Sequence, residues 1–316
     1  MSGDYNILVM KFNPDEVTVL IPTLNEEPTV GGVIKDFQKV GFRRILVMDG
    51  RSTDKTLEIA RSTGVTVKTQ TGKGKGNAII EAFGLVDTPY VLLVDGDGTY
   101  SAKDAEKMLR PLYLGFDHVI GDRLGSPDKG AFGFFNYRGN LLINALFKIS
   151  HGRELHDILS GYRAFTMDSV RQMNLKEKGF EIETEITVEA VRNNQRVMVV
   201  PVQYHKRVGT RTKLDPFHDG AKIITTMYRL AKVNNPVFYF GFIGLIITVL
   251  GIFTGVYVVS EWLKGINHIP MTILTVLLVM IGFEIFMFGI ISDIILAFHR
   301  EVLHELHLLQ QPRQPK

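Results

Sequence analysis

The stretch YVLLVDGDGTY, Tyr90 to Tyr100, decides how the rest of the chain is read. Its first five residues suit a strand buried on both faces, and in the turn that follows two carboxylates, Asp95 and Asp97, alternate with Gly96 and Gly98. Strand geometry sends neighbouring side chains to opposite faces, but a turn beginning at Gly96 can bring both carboxylates toward one point. Paired hard oxygen ligands suit Mg²⁺ or Mn²⁺, which bridge to diphosphate oxygens and take up charge as a leaving group departs. Taken alone, DGDG also reads as an ordinary acidic turn. Its place after an apolar strand favours function.

Working outward, strand and helix patterns alternate. VTVLIP (Val17 to Pro22) is an apolar strand that stops at proline, and TVGGVIKDFQKV carries Val30, Val33, Ile34, Phe37 and Val40 at helical spacing. RRILVMDG is a second strand, STDKTLEIARST a helix with a cap at Ser52 or Thr53, VTVKT a third strand and KGNAIIEAFGLV a third helix. This order predicts an α/β fold, a mostly parallel sheet with helices on both faces. Such sheets place ligands at the carboxyl ends of strands, so PTLNEE (22–27), DGRSTDKT (49–56) and DGDGTY (95–100) are expected to meet in one site.

Beyond Asn235 the composition changes. Pro236 to Ser260 contains no Asp, Glu, Lys, Arg or His, and as a helix it exceeds the roughly 30 Å of a hydrocarbon core. A second apolar run, Ile269 to Phe298, is broken only by Glu284 and Asp293, so the pair reads as a transmembrane hairpin. The expected division is a catalytic domain over 1–216, an amphipathic juxtamembrane helix over 217–234, spans at 235–260 and 269–298, and a tail over 299–316. The opening residues lack the pattern of a signal peptide, and Lys222, Arg229, Lys232 and Arg300 flank the spans, so the large domain and both termini are expected on the cytoplasmic side. The absence of cysteine excludes thiolate catalysis and cysteine metal sites. A formal charge of +3 gives no case for nucleic acid; membrane lipids or a phosphate ligand account better for the basic residues before the first span. Two exposed spans also allow a homo-oligomer.

Four further segments bear on chemistry. TGKGKGNA (71–78) places Gly72, Gly74 and Gly76 beside Lys73 and Lys75, a loop able to lie close to a diphosphate, although it matches neither the dinucleotide fingerprint nor the phosphate-binding loop. Asp157, in HDILSGYRAF, is a candidate base or charge-orienting carboxylate, and Gly161 would let the backbone pass close by. A base is required for a hydroxyl acceptor and not for a phosphate, which is already ionised. FEIETEI (180–186) alternates apolar residues with Glu181, Glu183 and Glu185, as a half-exposed strand does, with a glutamate in the site as the competing reading. Arg123, Arg138, Arg207, Arg211 and Lys213 form a basic set; RVGTRTK (207–213) precedes a helix with Ile223, Met227 and Leu230 on one stripe, so these groups would meet a phosphate at a membrane surface. AFGFFNYRGNLLINALFKI (131–149) reads either as a membrane-skimming helix or as domain core.

Together PTLNEE, VMDGRSTDKT, GKGNA, VDGDG, DILSGYR and RVGTRTK resemble the GT-A-fold glycosyltransferases of family 2, and more narrowly the polyprenyl or dolichyl phosphate hexose synthases, over about residues 16 to 232. The resemblance implies that Pro22, Thr23, Glu26 and Asp49 border the nucleoside, and that Asp95 and Asp97 form the metal and diphosphate motif. It further implies that Arg123, Arg138 and Arg207 cradle the acceptor phosphate, with Arg211 and Lys213 in a closing loop. Such enzymes invert the anomeric centre in one displacement by the lipid phosphate of a nucleotide-sugar donor. Two departures concern the donor: Gly72-Lys73-Gly74 or Gly74-Lys75-Gly76 stands where mannose synthases have Gly-Leu-Gly, and Ser160-Gly161-Tyr162-Arg163 stands for a Ser-Gly-Phe-Phe motif. They favour a UDP-hexose or UDP-N-acetylhexosamine over GDP-mannose. Thr99 replaces the more usual Gln after the metal motif. Rival readings are a GDP-mannose-dependent synthase, a polysaccharide-forming transferase, for which the extra spans and a Gln-X-X-Arg-Trp motif are missing, and a non-catalytic nucleotide-binding scaffold. An NAD-dependent oxidoreductase is weaker, because the glycines follow the wrong strand.

Overall fold

The computed structural model describes residues 13–310 except 126, 129, 208 and 210–217. Arg211 and Lys213 therefore lie outside the described residues. The chain separates into two compact units, divided between Met227 and Tyr228.

Among the described residues the first unit holds seven strands, β1 (Val17–Thr23), β2 (Ile45–Asp49), β3 (Thr66–Thr69), β4 (Tyr90–Leu93), β5 (His118–Asp122), β6 (Arg163–Thr166) and β7 (Val197–Pro201). They form one sheet in the order β3-β2-β1-β4-β6-β5-β7. Only β6 runs antiparallel to its neighbours, β4 and β5. Alternating residues feed two cores, which makes the unit a three-layer sandwich. Val17, Val19 and Ile21 face a cluster completed by Val30, Ile34 and Phe37 of α1 (Val30–Lys39) and by Met108, Leu109 and Leu112 of α4 (Ala105–Tyr113). On the other face Leu20, Met48, Val91 and Leu93 meet Ile79 and Phe83 of α3 (Lys75–Phe83) and Ile182 and Ile186 of α7 (Ile182–Arg192). The remaining helices of this unit are α2 (Thr56–Ser62), α5 (Phe134–His151) and α6 (Met167–Arg171).

Three local expectations are revised. β1 does not stop at Pro22 but runs on to Thr23. Leu20 O accepts from Val94 N at 3.0 Å after β4 has ended at Leu93, so Pro22, two residues on and facing the same way, lacks an N–H where no strand needs one. α2 starts at Thr56, because Ser52 is engaged elsewhere: its Oγ donates to Asp49 Oδ1 at 2.5 Å and accepts from Asn25 N at 2.8 Å. FEIETEI is not a strand. Ile182 and Ile186 are both fully buried, one helical turn apart, and the intervening glutamates are taken up by tertiary partners.

The division between the units falls within α8 (His218–Asn234), close to the helix expected there. The second unit continues with α9 (Pro236–Trp262) and α10 (Ile269–Gln310), of which Pro236–Trp262 and Ile269–Phe298 are long and apolar enough to cross a membrane, with mean hydropathy 2.5 each. They form a hairpin. Glycines let the helices close: a Cβ at Gly244 would lie 2.5 Å from Gly282 O, and one at Gly251 would lie 2.9 Å from a Val279 methyl. Thr275 Oγ1 donates to Thr254 Oγ1 at 3.0 Å across the interface. α10 continues as helix past Phe298 into the region read as tail.

Candidate active site

The carboxyl ends of β1, β2 and β4 converge as the strand order requires. Pro22, Thr23, Glu26, Gly50, Asp95 and Asp97 all border a single cavity of ≈ 380 Å³. Glycine makes the turn after β4 possible, since a Cβ at Gly96 would sit 2.7 Å from the Thr23 methyl, and Gly98 adopts φ +72°. Thr29 Oγ1 donates to Gly96 O at 2.8 Å and holds the turn against the start of α1. Gly161 fulfils the expectation of a close backbone pass, for a Cβ there would collide with Asp95 Oδ2.

The carboxylates of that turn differ in surroundings. Asp97 Oδ1 accepts from Thr99 Oγ1 at 2.6 Å and from Thr99 N at 3.1 Å, so the residue standing for the usual Gln pins the carboxylate. Asp97 Oδ2 lies 3.2 Å from Arg207 Nη2, which also donates to Glu26 Oε1 at 2.7 Å. Burial and the charge of Asp95 raise the Asp97 pKa above the ordinary value, with Arg207 and Thr99 opposing. Asp95 Oδ1 is 2.6 Å from Lys75 Nζ, and Lys75 is also 2.6 Å from Glu183 Oε1. Burial works against charge on Lys75, but Asp95 and Glu183 outweigh it and raise its pKa.

The glycine-rich loop proves to be a packing device as well as a wall. Gly74 and Lys75 border the cavity, yet a Cβ on Gly74 or Gly76 would collide with the carbonyl of Lys178 or Glu177. Gly76 N and Asn77 N donate to Lys178 O at 2.9 and 3.3 Å, so two amides of the first turn of α3 are already engaged, and the Lys75 side chain is turned to the cavity.

Asp157 is fully buried and holds Arg123 through both oxygens, with Nε to Oδ2 and Nη2 to Oδ1 each 2.7 Å and the Arg123 N to Oδ2 3.0 Å. It is absent from the described linings of both cavities, and both its oxygens are turned to Arg123. Burial disfavours charge on Arg123, but Asp157 more than compensates and keeps it firmly cationic. Its guanidinium lies beside the rings of Phe132 and Tyr204, 5.6 and 5.4 Å from their centroids, and the two rings stack on each other at 4.8 Å.

Arg123 and Arg207 also face a second cavity of ≈ 210 Å³, whose outer side is α5 through Asn136, Gly139, Asn140 and Ile143. The two cavities share Asp97, Arg123, Leu159, Tyr204, Arg207 and Ile223. Asn140 Oδ1 is buried without a partner. The opposite face of α5 is exposed and apolar, with Phe134 69%, Leu142 55% and Ile149 64% exposed, so this helix is neither core nor an ordinary surface helix. Arg138 stands on that outer face with its guanidinium 5.5 Å from the Phe134 ring and borders neither cavity. Asp49 is fully buried too, closing the DGRS turn by accepting from Arg51 N (2.8 Å) and Ser52 N (3.0 Å), and does not border the nucleotide-sized cavity. Sequence reasoning missed Tyr204, Phe132, Leu159 and Gln70, and it did not choose Glu183 among three glutamates. One signal was available for the second cavity: Asn136, Asn140 and Asn144 recur every fourth residue along one side of the helix, and the first two border the cavity.

Among the described residues no cluster of three His, Asp or Glu is arranged to hold a metal. The donor set nevertheless fits a divalent cation whose shell is completed by diphosphate oxygens. Asp95 and Asp97 border one cavity close enough for the charge of the first to raise the pKa of the second. Among the described residues four carboxylates, Glu26, Asp95, Asp97 and Glu183, face it against three cations, Lys75, Arg123 and Arg207, so a dianionic diphosphate would meet a net negative described wall. A dication on the two aspartates reverses that sign.

Residues 18–173 match the family described as Glycosyl transferase family 2. Glycosyltransferase AglJ of Haloferax volcanii is 45% identical over 300 residues, 94% of this chain and 99% of that protein. A dolichyl-phosphate hexose transferase of the same organism is 33% identical over 66% of this chain and 91% of its own length. Glucosyl-3-phosphoglycerate synthase of Mycobacterium tuberculosis, solved with Mn²⁺ and UDP-glucose, superposes with TM-score 0.57 at 19% identity, covering 68% of this chain and 78% of that one, and shows that the fold is shared.

Proposed function

The chain belongs to glycosyl transferase family 2, and from that premise we propose that it moves a hexose from a nucleoside-diphosphate sugar, favouring a UDP-sugar, to the phosphate of a dolichyl or other polyprenyl lipid. The observation that carries this reading is the makeup of the second cavity. Its described charged groups are Arg123, Arg207 and Asp97, and Asp97 is held by Thr99 and Arg207 while Asp157 is consumed by Arg123. Among the described residues no carboxylate there is placed to deprotonate a hydroxyl, and two guanidiniums converge where an anionic oxygen would bind. An acceptor that arrives ionised, a phosphate, fits these groups. Its lipid nature is supported by the exposed apolar face of α5 directly behind the cavity and by the two apolar helices of the same chain. The dolichyl-phosphate hexose transferase of H. volcanii and the UDP-glucose and Mn²⁺ in the M. tuberculosis fold relative support the same substrates.

In this mechanism Pro22, Thr23 and Glu26 border the nucleoside, and Thr23 Oγ1, buried without a partner, offers it a hydrogen bond. Asp95 and Asp97 would hold Mg²⁺ or Mn²⁺, which supplies charge neutralisation to the departing diphosphate. Arg123 and Arg207, in the shared wall, orient the acceptor phosphate so that one of its oxygens forms a bond to the sugar C1 as the C1–O bond to the diphosphate breaks, with inversion and without a proton transfer. Tyr204, whose pKa burial raises, stays neutral beside Arg123 and shields the reacting atoms from water. The site is proposed to face the cytoplasm, on the distribution of basic residues about the spans. Purified protein incubated with Mg²⁺ or Mn²⁺, short polyprenyl phosphate and a panel of UDP- and GDP-sugars tests the proposal by mass analysis of the lipid. One donor is expected to give one acid-labile lipid-phosphate sugar. Polymer, or nucleotide binding with no product on any lipid phosphate, would overturn it.

A further inference from the structure

Lys75 sits where a metal-binding aspartate should be free. Its ammonium is 2.6 Å from Asp95 Oδ1, and Gly161 backs the other oxygen so closely that a Cβ there would collide with it. Oδ1, the oxygen farther from Gly161, is thus already held by a cation. This is not a core ion pair, for the side chains of Lys75 and Asp95 are 17% and 23% exposed and both border the donor cavity. Glu183, the second carboxylate on Lys75, is nearly closed off, with 5% of its side chain exposed.

Glu183 is also tied in place relative to Lys75. The segment Glu177–Gly179, which leads into α7 and so to Glu183, lies on the first turn of α3 through the close approach that Gly74 and Gly76 permit, and Gly76 N bonds Lys178 O at 2.9 Å. The first turn of α3 carries Lys75. The backbone therefore keeps the Lys75–Glu183 pair together whatever happens to Asp95, and the flexible lysine stem needs only rotamer changes to leave one carboxylate for the other.

We propose that Lys75 is a displaceable cation: it occupies Asp95 until a divalent cation arrives, and Glu183 is the positioning residue that retains it once it is displaced. The proposal rests on the reading that Asp95 and Asp97 hold such a cation. A dication bound at Asp95 Oδ1 would repel the ammonium 2.6 Å from that oxygen, which drives Lys75 off it, and a second carboxylate at 2.6 Å lowers the cost of that move. It also leaves Lys75 at the cavity wall, beside the incoming diphosphate. In the sequence this links the GKGKG loop, the DGDG turn and the FEIETEI glutamates as one device.

The test is Mn²⁺ binding to the full-length protein in detergent, with Mn²⁺ alone as probe and free Mn²⁺ read by its paramagnetic resonance signal, so that turnover plays no part. Glu183→Gln is expected to weaken Mn²⁺ binding about tenfold, because Lys75 then has only Asp95 to rest on. Lys75→Met, which removes the competitor, is expected to tighten it, and Glu183→Gln added to Lys75→Met is expected to change nothing further. The same tenfold loss in both backgrounds would show a merely structural glutamate and overturn the proposal. Lys75→Met carries the test alone if Glu183→Gln does not fold: unchanged or weaker binding in that variant also overturns it. Wild-type protein that takes up no Mn²⁺ overturns the metal reading itself, an outcome distinguishable from the others.

Discussion

Replacing Asp157 by Asn separates a positioning role from a base. The substitution keeps shape and one acceptor oxygen but removes the charge from a fully buried group that makes three bonds to Arg123 at 2.7, 2.7 and 3.0 Å. Breaking a buried pair from one side costs about 3–5 kcal/mol, and the Asn amide would turn a donor toward a guanidinium donor. The rings of Phe132 and Tyr204 hold Arg123 in both proteins and offset none of this loss. A loss of about 3–5 kcal/mol in folding stability follows, measurable as a lower denaturation midpoint. For activity, Arg123 displaced by about 1 Å from the acceptor oxygens costs on the order of 100-fold. That loss is expected in kcat/KM for the lipid phosphate, with the donor KM unchanged, in initial rates of product formation from about pH 6 to about pH 9. The shape of the pH profile should persist, since no proton transfer is lost. If Asp157→Asn instead abolished the acidic limb of the profile while leaving the acceptor KM at its wild-type value, Asp157 would be a base and the reasoning from its burial would be refuted.

Gly161→Ala places a methyl against the Asp95 carboxylate and should abolish metal-dependent nucleotide binding, read by calorimetry, while the circular dichroism spectrum stays that of the wild type. Gly76→Ala drives a Cβ into the Glu177 carbonyl; it is expected to lower stability by about 1–3 kcal/mol, because backbone and not a flexible side chain must yield, and a thermal melt checks it. His151, whose pKa burial lowers to about 4, has Nε2 buried without a partner. Since the folded value lies below the ordinary 6.5, the neutral form is the one folded into place: its contribution is whole above about pH 6.5 and is lost as pH falls toward 4, a loss of midpoint that His151→Gln should diminish.

What could be read from the sequence was whatever a short window encodes. The fully buried β1, the α1 stripe of Val30, Val33, Ile34 and Phe37, the two apolar spans and the carboxylates on a glycine turn each announce themselves within about ten residues. What stayed hidden depends on partners far away in the chain. FEIETEI reads as a strand until Glu185 is seen accepting from Lys176 N and Glu177 N (2.9 and 2.8 Å) and Glu183 holding Lys75, uses that let acids lie on the buried side of a helix. Asp157 reads in sequence either as a base or as a charge-orienting carboxylate, because its neighbours do not show Arg123, 34 residues away, which it holds. The family resemblance groups Arg138 with the phosphate ligands, whereas helical phase sets it on the outer face of α5, away from Asn136 and Asn140.

The shared wall gives the two cavities opposite signs, and that difference orders the chemistry. Counting the described groups, the larger cavity has one more carboxylate than cations, while the smaller has two guanidiniums against Asp97. An anionic lipid headgroup can therefore enter the smaller cavity unaided, but a diphosphate entering the larger one without a divalent cation faces repulsion of the order of 4 kcal/mol per close charge pair. Divalent metal should accordingly lower the donor KM steeply and the acceptor KM hardly at all. Added monovalent salt, which screens exposed charge, should weaken the acceptor more than the metal-held donor. Chelation that raised both KM values in parallel would mean that the cation bridges both substrates, and the separation of roles between the aspartates and the arginines would fail.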